Sequence, residues 1–171
     1  MLNNYYPFSY VEDVFSINYE QLYNKGFRGL IFDIDNTLVP HGKESVKEID
    51  DLFVKIHQIG FKTLLLSNNN ESRILCFCKN IETLYIAEAN KPSPSAFIRA
   101  MSMLGTHKEN TIMIGDTTFT DILGANKAGI PSILVKYIGY YKKEWKGFKR
   151  YLEKMILLTY GLSRYNNRLQ I

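Results

Sequence analysis

The sequence predicts an α/β fold: a doubly wound, parallel, five-stranded sheet with helices on both faces. Three observations predict it. Short apolar runs without hydrophilic alternation recur five times, helical patterns fill the intervals, and polar residues follow directly after the runs. Strands that are buried on both faces form such continuous runs, and an alternation of strands and helices is typical of a parallel sheet.

The five predicted strands are short and contain β-branched or aromatic members. They span 30–34, 62–67, 84–87, 111–115 and 132–136. Four helices are predicted between them, over 45–60, 70–81, 93–105 and 119–130. The first helix pattern begins at Ser45 with Glu48 three residues later, which favours a capping box, and it ends at Gly60. Right-handed crossovers then place helices on both sides of the sheet.

We expect one domain, 1–171, because neither flank of the predicted sheet is large enough to fold alone. Residues 28–136 form its core. Residues 1–27 are rich in Tyr and Phe and are expected to lie on this core as a helix or an extended arm. Residues 137–171 carry a basic amphipathic segment. The apolar residues expected on one face of that segment are Trp145, Phe148, Leu152, Met155 and Ile156.

The composition, 46% hydrophobic and 22% charged, is that of an ordinary globular protein. The net charge of +4 is uneven, since 136–154 holds seven Lys or Arg against two Glu, which indicates a basic surface patch. Cys76 and Cys78 have no further Cys with which to form a zinc site, which favours a reduced protein. With no apolar run near the roughly 20 residues of a membrane span and no signal-peptide pattern, we expect a cytoplasmic location.

Polar residues follow four of the predicted strands. They are Asp33 and Asp35, then Ser67 and Asn68, then Lys91, then Gly115 and Asp116. Ligands of an open parallel sheet bind beyond the carboxyl ends of the strands, so we expect these residues to converge. Asp33 and Asp35 project to the same side, and crowded buried carboxylates are costly without a cation. With Asp116 as a third oxygen donor and no His or Cys ligands, Mg²⁺ is the cofactor that fits best.

The segment "DIDNTL" resembles the DxDxT/V signature of the haloacid dehalogenase-like (HAD) phosphohydrolases. "SNN", "KP" and "GDTTFTD" are similar to the second, third and fourth motifs of that superfamily and follow in its order, within 28–136. One motif alone indicates little, since glycosyltransferases also carry DxD, but four at strand ends are specific. "GFRGLIFDIDNTLVPHG", "LLLSNNNESRI" and "MIGDTTFTDILGAN" further resemble the YqeG-type subfamily (subfamily IIIA), which is related to phosphatidylglycerophosphate phosphatases.

The resemblance implies strand order 5-4-1-2-3 and Mg²⁺-dependent hydrolysis of a phosphate monoester through an aspartyl-phosphate. In such a mechanism Asp33 is the nucleophile. Asp35 is the general acid and base, and its backbone carbonyl binds Mg²⁺. Asp116 is a direct metal ligand. Asp121 either ligates the metal through water or holds Lys91.

The resemblance also implies the residues that contact substrate. Ser67 and the backbone N–H of Asn68 hold phosphate oxygens, and Lys91 neutralises the charge that the phosphate shares with Asp33. Thr37 stabilises the loop formed by the first motif. For Asn126, a position behind the site and a simple helix-surface role are both open.

The spacing of the motifs leaves no room for a cap domain over the site. Only 28 residues lie between Leu38 and Ser67, and 23 lie between Ser67 and Lys91, whereas a folded cap needs about 50 or more. An uncovered site suits a large or surface-presented phosphate, such as phosphatidylglycerophosphate. A phosphoprotein or a nucleic-acid end also qualifies, although nucleic acid is not the expected partner. Peripheral contact with an anionic membrane is a further expectation, against the alternative of an ordinary packed helix. The candidate contacts are Lys142, Lys143, Lys146, Lys149, Arg150 and Lys154, with Trp145 and Phe148 as anchors.

Other interpretations stay open at this level. A carboxylate pair at a strand end can cap the next helix, and a bacterial receiver domain also gathers acids, a hydroxyl and a lysine at its strand ends. A HAD fold without activity can serve as an adaptor that binds RNA or membrane through the basic segment. His41 is expected to be an ordinary loop residue. Arg73 either faces solvent or reaches a second anionic group of a substrate.

Overall fold

The computed structural model describes residues 2–136, 138, 146–163 and 168–169, and these contain six parallel strands. The strands are β1 (Ser9–Val11), β2 (Gly29–Phe32), β3 (Lys62–Leu66), β4 (Leu84–Ile86), β5 (Thr111–Gly115) and β6 (Ser132–Val135). They form one sheet in the order β1-β6-β5-β2-β3-β4. The five predicted strands therefore take the implied order 5-4-1-2-3, and the predicted fold class is confirmed.

The sixth strand, β1, corrects the predicted count of five. It comes from the N-terminal flank and pairs in parallel with β6, with Ser9 opposite Ile133 and Val11 opposite Val135. Three residues are too few to give a recognisable pattern, and Tyr10 between them is exposed. Without β1, the backbone of β6 would be an open edge. The flank therefore extends the sheet as well as lying on the core.

Helices alternate with the strands from β1 onward. They are α1 (Tyr19–Asn24), α2 (Lys47–Ile59), α3 (Glu71–Phe77), α4 (Pro94–Leu104), α5 (Leu123–Ala128) and α6 (Lys146–Gly161), with a π-turn at Thr118–Ile122 before α5.

The capping box predicted for α2 is wrong. The N-cap is Val46, which makes no side-chain cap bond, and the hydroxyl of Ser45 donates instead to Asp50 (2.5 Å). The predicted end at Gly60 is confirmed, with φ of 109°.

The sheet separates two apolar layers. Leu30 and Phe32 of β2 pack with α1, α2 and α3, whereas Ile31 between them packs with α4 and α5. Burial on both faces explains why the strands read as unbroken apolar runs. The intervals 33–61 and 67–83, which the structure describes in full, hold one helix each, α2 and α3, so neither interval contains a cap domain.

The two flanks pack on each other beside the sheet. Tyr6 of the N-terminal flank packs on Tyr160 of α6, with ring centroids 5.8 Å apart, and its hydroxyl donates to Thr159 (3.0 Å). The single apolar face predicted for the C-terminal segment is wrong in one respect. Ile156 is buried and Met155 is exposed, because successive helical residues lie about 100° apart.

Most of the basic and aromatic residues predicted to touch a membrane lie outside the described side chains. They are Lys142, Lys143, Trp145, Lys146, Phe148, Lys149 and Arg150. Lys154 is described and is exposed. Among the described residues, no helix combines the length and the apolar character that a membrane crossing requires.

Candidate active site

The carboxyl ends of β2 and β5 lie side by side. The strands pair with Phe32 opposite Ile114, and the amide of Asp33 donates to the carbonyl of Ile114 (2.9 Å). Carboxylate oxygens of Asp33, Asp116 and Asp121 lie within 4.8 Å of one another. The sheet thus brings together acids from distant parts of the chain.

Lys91 reaches this acidic cluster from the loop after β4. Its Nζ lies 2.8 Å from Asp33 Oδ1 and 2.7 Å from Asp121 Oδ1, and its side chain is only 3% exposed. The other oxygen of Asp121 accepts from the amide of Thr117 (3.1 Å). Because both oxygens of Asp121 already have protein donors, the geometry favours the second role foreseen for Asp121, which is to hold Lys91.

Gly115, the last residue of β5, leaves the space that the Asp121 carboxylate occupies. A Cβ at position 115 would lie 2.5 Å from that carboxylate, which is closer than such atoms pack. The π-turn at Thr118–Ile122 inserts one extra residue into the helical path and turns Asp121 back toward the strand. Glycine is therefore required at position 115 because the Asp121 carboxylate packs against it.

Burial and charge set the acid–base properties of the cluster. Burial raises the pKa of Asp33 to about 6, although the Lys91 ammonium opposes the shift. Burial likewise raises the pKa of Asp121. Burial would lower the pKa of Lys91, but the carboxylates of Asp121 and Asp33 outweigh it and raise that pKa, so the lysine stays charged. Three ionised carboxylates around one ammonium leave two negative charges, which one divalent cation neutralises.

The donors of the cluster fit a hard cation. All of them are carboxylate oxygens, which suit Mg²⁺ better than softer metals. With Asp121 committed to Lys91, the two acids that would hold the ion are Asp33 and Asp116. Asp116 Oδ1 is also approached by the hydroxyls of Thr37 (3.4 Å) and Thr117 (3.2 Å). The backbone carbonyl of Asp35 stays a predicted third ligand.

Asp35 has a separate set of partners. Its Oδ1 accepts from the amide of Gly42 (2.8 Å) and from Nη2 of Arg73 (2.7 Å), and its Oδ2 accepts from Nδ2 of Asn69 (2.6 Å). Burial would raise the pKa of Asp35, but these donors, Arg73 first, outweigh burial and hold the pKa below its usual value. In this arrangement Asp35 is ionised and able to accept a proton.

Ser67 and Asn68 end β3 at the same edge of the sheet. The Ser67 hydroxyl oxygen accepts from the amide (3.1 Å) and Nδ2 (3.2 Å) of Asn69, so its own hydrogen can donate to a ligand oxygen. The side chain of Asn68 is used structurally: it accepts from the amide of Lys91 (2.7 Å) and donates to the carbonyl of the same residue (3.2 Å). Asn68 therefore fixes the loop from which Lys91 extends.

Known proteins are similar to this chain in sequence and in fold. A family model described as HAD-hydrolase-like matches residues 88–152. The chain is 33% identical over 159 residues to "Probable phosphatase YqeG" of Bacillus subtilis, and the alignment covers 92% of each chain. The chain belongs to the YqeG-type HAD phosphohydrolases. The resemblance carried by the four motifs is confirmed.

Other proteins resemble this YqeG-type chain in sequence or in fold. It is 25% identical over 146 residues to phosphatidylglycerophosphate phosphatase 1 of Arabidopsis thaliana, covering 76% of this chain and 40% of that one. A HAD subfamily III A hydrolase from Legionella pneumophila matches 85% of this chain and 91% of its own, with TM-score 0.52 and 18% identity. The cobalt-bound deoxy-D-mannose-octulosonate 8-phosphate phosphatase of Haemophilus influenzae matches 82% and 92%, with TM-score 0.52 and 19% identity. These structures share the fold.

The partners of Asp35 are the main feature of this YqeG-type site that sequence reasoning missed. Asn69 was not singled out, although it contacts both Asp35 and Ser67. Arg73 does not face solvent: its side chain is 15% exposed, and its Nη2 also donates to the carbonyl of Lys43 (2.8 Å). A signal was available, since Arg73 lies in the first turn of the helix that follows Ser67.

Three further positions are placed by the structure. His41 Nδ1 lies 3.5 Å from Asp35 Oδ2, so this loop residue sits at the rim of the site. Asn126 donates to the carbonyls of Asn4 (2.8 Å) and Tyr6 (3.0 Å) and thereby holds the N-terminal flank, which is a structural role. Glu153 of α6, which sequence reasoning did not consider, is buried and accepts from the amide of Thr118 (3.0 Å).

Proposed function

We propose that this phosphohydrolase is a Mg²⁺-dependent phosphatase that cleaves a phosphate monoester through an aspartyl-phosphate on Asp33. The observation that carries the proposal is the Asp33 carboxylate, which stands at the carboxyl end of β2 with Lys91 on one side and Asp116 close by. Lys91 offsets charge on Asp33 without removing its electron pair, so the carboxylate can act as a nucleophile. A bound Mg²⁺ supplies further positive charge that offsets the charge of the phosphate.

The first step requires the protonated form of Asp35: an Asp33 oxygen attacks phosphorus, the ester P–O bond breaks, and the leaving oxygen takes the proton from Asp35. In the second step a water molecule gives a proton to Asp35 and attacks phosphorus. The acyl-phosphate P–O bond then breaks, which restores the Asp33 carboxylate and releases inorganic phosphate. The Ser67 hydroxyl and the Asn68 amide hold phosphate oxygens through both steps.

Arg73 tunes the protonation of Asp35 in this scheme. Asp35 must carry a proton to assist a poor leaving group, and the Arg73 guanidinium opposes that state. Arg73→Gln is therefore expected to raise the pKa of Asp35 and to move the alkaline limb of kcat/KM for an alkyl phosphate upward by about one pH unit. For p-nitrophenyl phosphate, whose leaving group needs no proton, this limb should stay in place.

The measurement is a pH profile of kcat/KM with both esters. Arg99→Gln, which removes an exposed arginine from α4, is the matched control and should leave both profiles unchanged. An equal shift with the two esters, or no shift with either, would show that Arg73 does not act through Asp35.

Protons compete with Mg²⁺ for Asp33. Because its folded pKa of about 6 lies above the ordinary 3.8, the metal-free folded protein keeps a proton that the unfolded chain has lost, and stability falls as pH rises between these values. Mg²⁺ requires the ionised carboxylate, so the rise in Tm at a fixed Mg²⁺ concentration is expected to grow as pH passes about 6. Calorimetry of wild type and Asp116→Asn measures this Mg²⁺-induced rise in Tm. A rise that does not depend on pH, or that persists in Asp116→Asn, contradicts Asp33 and Asp116 as ligands.

Among the described residues, the intervals 33–61 and 67–83 contain no cap domain, which supports a large or surface-presented substrate. We propose a lipid phosphate, with phosphatidylglycerophosphate as the leading candidate, because a phosphatidylglycerophosphate phosphatase is among the relatives. The test is a panel of soluble and lipid phosphate esters assayed with Mg²⁺ and with a chelator. We expect p-nitrophenyl phosphate to be hydrolysed with Mg²⁺ and not with the chelator. The lipid phosphate should be hydrolysed with a higher kcat/KM than p-nitrophenyl phosphate. If no ester is hydrolysed, the phosphatase proposal fails and the adaptor interpretation gains support.

A further inference from the structure

The outward side of α6 carries an apolar stripe, formed by Tyr151, Met155, Leu158 and Leu162. Their exposed fractions are 61%, 46%, 65% and 92%. The spacing of four, three and four residues places all of them on one face of a helix. The amide of Leu162 donates to the carbonyl of Leu158 (3.3 Å), so the helical path continues through the last member.

This stripe is not what attaches α6 to the protein. The opposite side of the helix does that, through the buried residues Glu153, Ile156 and Tyr160. Exposed apolar residues elsewhere, such as Phe15, Val54 and Ile98, are divided among different elements, as is normal for a protein surface. A continuous exposed stripe on one helix is unusual and indicates a surface that binds something.

The charge around the stripe indicates what kind of surface binds to it. Lys154, three residues after Tyr151 and four before Leu158, is an exposed cation beside the stripe. The sequence just before and at the start of α6 is basic, with five Lys or Arg between 142 and 150 against one Glu. Two copies of such a helix would repel each other, whereas an anionic lipid surface attracts both the cations and the apolar face.

We propose that the outward face of α6 docks this protein on an anionic lipid bilayer, with the stripe inserted at the level of the headgroups. The inner face of the same helix contacts Thr118, two residues after Asp116, through Glu153. A helix is about 10 Å across, so a docked bilayer lies within that distance of the Asp116 loop. The docking does not depend on catalysis, so it can fail or succeed independently of the proposed phosphatase activity.

The test is sedimentation of the full-length protein with vesicles of phosphatidylcholine alone and of an equimolar mixture of phosphatidylcholine and phosphatidylglycerol. Wild type is compared with the double variant Leu158→Ser, Leu162→Ser. The matched control is Val54→Ser, Ile98→Ser, which removes two exposed apolar residues from α2 and α4. Thermal melting and p-nitrophenyl phosphate turnover of each variant establish that its fold is retained.

We expect wild type and control to bind the anionic vesicles, less tightly as salt rises, and to bind the neutral vesicles weakly. The stripe variant should bind the anionic vesicles with an affinity at least about tenfold lower than that of wild type. Absence of wild-type binding, or equal losses in the two double variants, overturns the proposal. A wild-type dimer in solution that the stripe variant dissociates would make a second copy the occupant and would also overturn it.

Discussion

Asp33→Asn is expected to reduce kcat for a phosphate monoester by at least about a thousandfold. The amide has nearly the shape of the carboxylate but cannot form an acyl-phosphate, so the covalent route is lost. The fold should persist, because Lys91 keeps Asp121 as a partner 2.7 Å away and the substitution removes a charge that burial disfavours. Steady-state kinetics with p-nitrophenyl phosphate and a thermal melt of the same preparation measure both effects.

Asp51→Asn is the control for this experiment. Asp51 is an exposed acid of α2, and its substitution should leave kcat unchanged. A variant of Asp33 that is folded and retains a tenth or more of the wild-type kcat would show that another residue, or water directly, attacks phosphorus.

Lys91→Met is expected to destabilise the metal-free protein at pH 7 by about 3–5 kcal/mol. The substitution leaves Asp121, which has no exposed side-chain surface, without the ammonium at 2.7 Å, and it also leaves Asp33 unpaired. The buried acids then bind protons more readily, so the loss should shrink as pH falls toward 5. Urea unfolding in the presence of a chelator measures the change.

A double-mutant cycle assigns this loss to the carboxylate. Adding Asp121→Asn to Lys91→Met removes the unpaired charge and should recover part of the stability. Lys108→Met, which removes an exposed lysine, should change the free energy of unfolding by less than about 0.5 kcal/mol. If the second substitution makes Lys91→Met still less stable, Asp121 is not the charge that Lys91 compensates.

The strand order was implied by the resemblance to the HAD phosphohydrolases, and that order predicted that Asp33 and Asp116 meet. Apolar runs on β2 and β5 mark buried strands, and parallel pairing brings their carboxyl ends together. The strand β1 was not predictable in the same way. Its three residues pair with the edge of β6, which is distant in the sequence, and a local pattern does not reveal such a contact.

The partners of Asp35 could not be read from spacing. Asn69 and Arg73 lie 34 and 38 residues further along the chain, and their side chains meet Asp35 only after β2 and β3 pair. Asn69 also stands between two other asparagines, so composition did not distinguish it. Periodicity likewise merged Met155 and Ile156 into one face of α6, although packing buries only the second.

The most direct test of a covalent Asp33 intermediate is to quench the enzyme during turnover with sodium borohydride. Hydride reduces an acyl-phosphate to an alcohol with loss of phosphate, so phosphorylated Asp33 becomes homoserine. Mass spectrometry of the peptide that contains residue 33 is expected to find homoserine when substrate is present and aspartate when substrate is omitted. Unmodified Asp33 throughout turnover, or homoserine at Asp35 instead, would contradict Asp33 as the nucleophile.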